Sequence, residues 1–396
     1  MDPLTHSLAS LALQRGFFPK TSWRAVFTIL FAGLIADVDF LSASFGPSAY
    51  LRCNRTATHS LAFVVLLAIA AFLFSQTLRD PQRAARWMGL SWTAVAAAAL
   101  LHLLMDFLQA DSVSLLWPFS PRRFSLDVSP AIDPWLIVVL ASAILFPELL
   151  RLVGDEIGSR SKRPHGRTGA IIGLSLALVY SGTRVLFHAN VTAALASRTV
   201  SGEMPRRFAA FPDSISPFLW HGVVETESAL HLSTMRSMGG EVSYASGITA
   251  LRKPEPSPIL TAAQTSAAAV EFLKTARFPK AIVERETEGY SVEINDLKDQ
   301  AMQTPNHAIF AEINLDKSAK VVSSELQWQK ISTRPQQGSF ILFCPAAALA
   351  KSTARPDNSP PQIPPEKSPL PLYVVPEKAA RHSHTSPPDT QPQNSE

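Results

Sequence analysis

The feature that most constrains this chain is the crowding of long apolar runs into residues 1–190. A helix needs roughly 20 predominantly apolar residues to cross a bilayer. Runs near 24–44, 59–78, 88–109 and 133–153 meet that length, and a fifth lies near 169–188. A shorter apolar stretch at 3–14 cannot span alone and reads as one arm of a helical hairpin. The expected fold is therefore mainly α. It comprises a polytopic bundle of about five spans plus a short N-terminal helix over residues 1–190. A small soluble α+β domain over 191–350 and a tail over 351–396 should follow.

Charge supports this organisation. Only 17% of residues are charged, as befits a chain half in lipid. Basic residues concentrate in alternate loops: Arg15, Lys20 and Arg24; Arg79, Arg83 and Arg86; then Arg151, Arg160, Lys162, Arg163 and Arg167. The other loops hold Arg52, Arg55, Arg122 and Arg123. The positive-inside rule puts the first set in the cytoplasm, with loops 45–58 and 110–132 outside. Five spans would then leave the soluble domain extracytoplasmic, in a multi-pass protein of a bacterial inner membrane. The basic excess reads as an orientation signal and not as a nucleic-acid patch, so lipid is the expected partner. The oligomeric state has no signature. Residues 1–13 lack a basic n-region and an A-x-A site, so no cleavable signal peptide is expected. Cys53 and Cys344 have no zinc-ribbon spacing, which excludes a thiolate-held structural zinc.

In the soluble portion, Lys280–Asn295 alternates around a turn at Glu288–Gly289 and predicts a hairpin. A second hairpin is expected from Ala308 to Trp328, turning near Asp316–Lys320, and a helix over 261–276. The stretch 352–396 carries eleven prolines among Ser, Gln and Thr, a composition that predicts disorder.

Ionisable groups within membrane segments are costly and are functional candidates by default. Here they converge. Asp37 and Asp39 lie toward the outward end of the first full run, His59 opens the second, and His102 and Asp106 sit near the end of the third. Asp127 and Asp133 precede the fourth. His6 joins them if residues 3–14 pack antiparallel to 24–44. His102 and Asp106 are spaced i, i+4 and so share one helix face. Imidazole with carboxylate and without thiolate suits Zn, Fe or Mn. The metal-ligand candidates are thus His6, Asp37, His59, His102 and Asp106. Asp39, Asp127 and Asp133 are candidates for a general base or for orienting a ligand His. Arg55, Arg122 and Arg123 are candidates for binding an anionic substrate group.

Several short motifs resemble a known family. They are Met1-Asp-Pro-Leu-Thr-His6, Ala36-Asp-Val-Asp39, Arg55-x2-Thr-His-Ser60, His102-Leu-Leu-Met-Asp106, Leu116-Trp-Pro-Phe-Ser-Pro-Arg-Arg-Phe124, Leu126-Asp127 and Ile132-Asp-Pro134. Their order resembles the bacterial membrane-bound metal-dependent hydrolases, and distantly the zinc-dependent phospholipases C. Ser216–Thr226 and Phe272–Asp296 resemble that family's soluble portion. The resemblance implies a hydrolase with a divalent metal, zinc, held by Asp37, His59, His102 and Asp106 as primary ligands, and with His6 on a second ion or on substrate. It implies a lipid or phosphoester substrate at the outer membrane face. Asn54, Gln109 and Asp111 depart from the family's usual residues. The rival expectations are a non-enzymatic metal- or partner-binding membrane protein and, last, a transporter. Transport sites favour the midplane and internal repeats, and no repeat is visible here.

Overall fold

The computed structural model describes residues 1–19, 23–76, 81–156, 166–252, 257–302, 308–328, 339–343 and 372–374. The proline-rich tail lies outside these residues, apart from Leu372–Val374. The chain divides into two units. One holds 1–227, 231–249 and 301–303; the other holds 228–230, 250–300 and the strands beyond 304.

The first unit begins with α1 (Pro3–Phe17). Asp2 caps it by accepting from Thr5 N at 2.9 Å, and Pro3 occupies the first turn, where its missing N–H costs nothing. α1 buries small residues, Ala9, Ser10, Ala12 and Gly16, and so approaches its neighbours closely. α2 (Trp23–Ala32), a 3-10 helix (Ile35–Phe45), α3 (Pro47–Cys53), α4 (Leu61–Gln76) and α5 (Pro81–Phe107) follow. Then come α6 (Pro134–Glu156) and α7 (Arg167–Ser197). Two apolar clusters lock these together. Met1, Ala9, Ala12, Met105, Leu136, Leu140, Ile144 and Ala170 join α1 to α5, α6 and α7. Ile29, Ala32, Ala94, Val95 and Ala98 join α2 to α5. A Cβ at Gly173 would collide with that of Ala143, so α6 and α7 touch through small residues.

The five-span expectation is overturned. Among the described residues only α6, over Pro134–Val153, and α7 are long and apolar enough to cross a membrane. A third candidate counts only if α2 and the 3-10 helix are taken as one span, bent by 49°. The run 24–44 breaks at Gly33–Leu34, and Leu61–Ala71 and Trp92–Phe107 are shorter apolar helices. Apolar run length had not registered these breaks.

The architecture is also less helical than expected: the residues after α7 form two antiparallel sheets with short helices, a mixed α/β content consistent with the expected α+β portion. In the first unit, β1 (Arg207–Pro212), β2 (Leu219–Glu225), β3 (Ala229–Met238) and β4 (Glu241–Tyr244) lie in the order β1-β2-β3-β4. Val191 and Leu195 of α7 pack on Ala210, Trp220, Val224 and Met235 of this sheet.

A short strand, β5 (Thr249–Arg252), precedes the elements of the second unit: α8 (Pro258–Thr265), α9 (Ala267–Leu273), β6 (Pro279–Arg285) and β7 (Gly289–Asp296). After α10 (Leu297–Ala301) come β8 (Ile309–Asp316), β9 (Val321–Trp328), β10 (Ser339–Phe343) and β11 (Leu372–Val374). Their sheet order is β11-β10-β6-β7-β8-β9. Both expected hairpins form, as β6–β7 and β8–β9. The helix expected over 261–276 is instead two helices. Ser266 ends α8 and caps α9 by accepting from Ala269 N at 3.3 Å.

Candidate metal centre

Three elements and one loop of the first unit deliver five metal-ligand candidates to one place. His6 comes from α1, Asp37 from the 3-10 helix, His59 from the loop before α4, and His102 and Asp106 from α5. One ligand atom from each of His6, Asp37, His102 and Asp106 lies within 4.8 Å of the others. His59 Nε2 is 2.8 Å from Asp106 Oδ2 and 3.8 Å from Asp37 Oδ1. His102 Nε2 is 3.1 Å from Asp106 Oδ2 and 3.6 Å from Asp37 Oδ1. The His6 ring stacks on that of His102, with centroids 3.8 Å apart, and its Nε2 is 3.3 Å from Asp106 Oδ1. His6, His59, His102 and Asp106 are buried, whereas the Asp37 side chain is 26% exposed and marks the open side.

The imidazoles are oriented from behind. His102 Nδ1 lies 2.8 Å from the Gly33 carbonyl oxygen, which only accepts, so Nδ1 carries a proton and donates. His59 Nδ1 is 3.0 Å from Asp39 Oδ2, with the same consequence. Both Nε2 atoms therefore turn toward the cluster, and they stand 3.3 Å apart. Asp106 Oδ1 already faces two cations, the Met1 ammonium and the Arg55 guanidinium, while its Oδ2 and the two Nε2 atoms need a proton or a further cation among them. Neither ring nitrogen of His6 makes a well-formed hydrogen bond, and Asp37 Oδ2 is buried without a partner. Unpartnered buried donors and acceptors of imidazole and carboxylate type are the donor set of a borderline divalent metal, so the residues fit such an ion.

Asp39 stands one layer out. Its Oδ2 also accepts from Arg55 N and Thr58 Oγ1, each at 2.7 Å. It thus orients His59, one of the two roles expected of it. Arg55 has a left-handed backbone, with φ of 56°, which turns its N–H to Asp39. Its Nη2 is 3.5 Å from Asp106 Oδ1 and donates to Gln109 Oε1 at 2.6 Å, while Nη1 donates to the Asp111 carbonyl at 2.8 Å.

The other candidates have structural partners of their own. Asp133 caps α6, accepting from Trp135 N at 3.1 Å, and holds Tyr180 Oη at 3.1 Å. Asp127 accepts from Ser125 Oγ at 2.8 Å. Arg123 donates through Nη2 to the carbonyls of Ser112 and Asn54, each at 3.1 Å, and so ties loops together. Arg122 is exposed. The sequence reading missed Gly33, whose carbonyl sets the His102 tautomer, and Gln109, whose Nε2 is buried without a partner. It also missed Arg184 on α7, buried and donating to the Val128 carbonyl at 2.8 Å beneath the Trp220 ring. A charged residue inside an apolar run was the signal available for it.

Fold and site together define a class: a membrane protein with a buried His/Asp cluster able to hold a metal ion. Residues 1–196, just under half of the chain and the part containing every ligand candidate, match the family described as YdjM inner membrane protein. The match is thus to a family of inner-membrane proteins. No curated protein and no solved structure matches the chain.

Proposed function

We propose that this chain is a membrane-bound metal-dependent hydrolase acting on a lipid or phosphoester substrate. The observation that carries the reading is the convergence of His6, Asp37, His102 and Asp106 within 4.8 Å. His59 supports it by turning Nε2 to the same point. Zinc suits the donor set, and the ion would be held by these five side chains. A bound divalent ion supplies an activated water near neutral pH and polarises the scissile group. Asp39 keeps His59 in one tautomer. Arg55 lies against Asp106 and is suited to an anionic oxygen of the substrate. Asp37 is the ligand candidate on the open side, and its unpartnered Oδ2 is suited to taking a proton from water.

The test is hydrolysis of phosphodiester and carboxylester lipid analogues by purified protein, with metal content measured in parallel. His102→Ala should lose the metal and at least tenfold in rate. Activity that survives the change sinks the assignment. One observation favours a second reading, a non-enzymatic metal-binding protein: four of the five ligand candidates are 2% exposed or less, as in a closed site. Stoichiometric metal without turnover on any substrate would favour it.

A further inference from the structure

One side of α7 carries a polar stripe, Tyr180, Arg184 and His188, recurring at i, i+4 and i+8. An ionisable group in such an apolar helix is a functional candidate by default. Arg184 is 2% exposed. Its Nε donates to the Val128 carbonyl at 2.8 Å, and its Cζ stands 4.8 Å from the centre of the Trp220 ring. Its Nη2 is buried and has no hydrogen-bond partner among the described residues. Trp220 is 0% exposed, and its Nε1 has no partner among them either. Two buried donors, one of them on a cation, thus meet where α7 packs on β2, and neither has an acceptor. We propose that Arg184 and Trp220 form an oxyanion site of phosphate type, separate from the metal centre.

The charge around Arg184 supports an anion. Asp133 is the carboxylate that reaches this stripe, and its own partners hold its charge. It accepts from Tyr180 Oη at 3.1 Å, from Ser129 Oγ at 3.2 Å, and from the Trp135 and Leu136 N–H groups at 3.1 and 3.3 Å. The last two place it at the positive end of α6. The Tyr180 hydroxyl stands between Asp133 and Arg184. Among the described residues no carboxylate forms an ion pair with the Arg184 guanidinium.

Guanidinium and indole N–H groups only donate, so their ligand must accept, and beside an unpaired guanidinium it is anionic. The ring contact puts Nη2 and Nε1 no more than roughly 8 Å apart. One tetrahedral oxyanion spans that distance with a hydrogen bond of about 2.9 Å at each end. Position along α7 agrees. Its exposed apolar residues run from Ile172 to Leu186, whereas Val191 and Leu195 pack on the first sheet. Arg184 therefore lies where the apolar exterior gives way to the sheet, the level at which a bilayer holds its phosphates. A lipid headgroup and free phosphate offer the same oxygens to this pair.

The experiment gives the full chain in detergent two probes. Radiolabelled inorganic phosphate is followed by equilibrium dialysis, and phosphatidylglycerol vesicles are followed by native mass spectrometry of the released protein. Trp220→Phe removes the Nε1 donor and keeps an aromatic ring, and Arg184→Gln removes the charge. His102→Ala and the chelator-treated parent control for phosphate held by a metal. The parent and both controls should bind at least one probe at one per chain. Trp220→Phe and Arg184→Gln should each bind it at least tenfold more weakly. Binding of inorganic phosphate identifies a solution anion, and a lipid adduct alone identifies a headgroup; either supports the site. A parent that binds neither probe overturns the proposal, since water then meets both donors. So does binding that survives in the folded Trp220→Phe and Arg184→Gln proteins, or that is lost only in the metal controls. If Arg184→Gln fails to fold by circular dichroism, Trp220→Phe decides. No outcome involves turnover, so the hydrolase reading stands or falls separately.

Discussion

His59 Nε2 and His102 Nε2 stand 3.3 Å apart, and Asp106 Oδ2 lies 2.8 and 3.1 Å from them. Each ring is fixed from behind, by Asp39 and by the Gly33 carbonyl. The pair is thus held with both Nε2 atoms aimed at one point, a preorganised arrangement.

Asp39→Asn tests the outer layer. The amide keeps the shape but weakens the hold on the His59 Nδ1 proton. Metal affinity should fall about 10- to 100-fold, as for other groups that orient a metal ligand. The metal stoichiometry at saturation should be unchanged. Titration with Zn(II) against a competing chelator measures this, and an unaltered affinity would remove Asp39 from the centre.

Gly33→Ala tests the route by which α1 reaches the cluster. A Cβ at residue 33 would collide with Ser10 Oγ on α1, one helix with His6. The overpacking should cost about 1–3 kcal/mol of stability. Metal affinity should fall as well, because the Gly33 carbonyl is the anchor of His102. A melting curve with and without metal reads both effects.

Asp133→Ala separates a cap from a catalyst. The side chain satisfies backbone N–H groups of the first turn of α6 and the Tyr180 hydroxyl. Its loss should cost about 0.5–2 kcal/mol. Metal content should not change. A variant that keeps its melting temperature but loses turnover would return Asp133 to the chemistry.

Lys280 gives a pH test in the second unit. Burial pushes its ammonium down to about 8, against 10.5 when unfolded. Between these values the unfolded state binds more protons, so stability should rise as pH increases from about 8 to 10. Below pH 8 the penalty is fully present. Lys280→Met should therefore stabilise by about 1–3 kcal/mol near pH 7, and the gap should narrow toward pH 10. Denaturation midpoints of both proteins at several pH values check it.

Much of the site was legible because His and Asp stand out inside apolar runs, and because i, i+4 spacing puts His102 and Asp106 on one face. Asp133 also had a second reading in the sequence, since an Asp before Pro is how a capped helix begins, and it does cap α6. The span count failed for a different reason. Composition alone does not register a break such as Gly33–Leu34, which bends a long apolar run and delivers Asp37 sideways to the cluster. The first sheet went unread because β2 buries Trp220, Gly222, Val223, Val224 and Glu225, with no clean two-residue alternation along its length. In the second sheet β8 alternates along its length and was read correctly.

The most direct test of the central claim is X-ray absorption on the purified protein, with metal content counted per chain. The expected result is a stoichiometric divalent metal with nitrogen and oxygen ligands at about 2.0–2.2 Å, lost together with its spectrum in His102→Ala. A protein that takes up no stoichiometric metal, and whose His59 and His102 Nε2 atoms instead carry the protons that bridge to Asp106, would contradict the account.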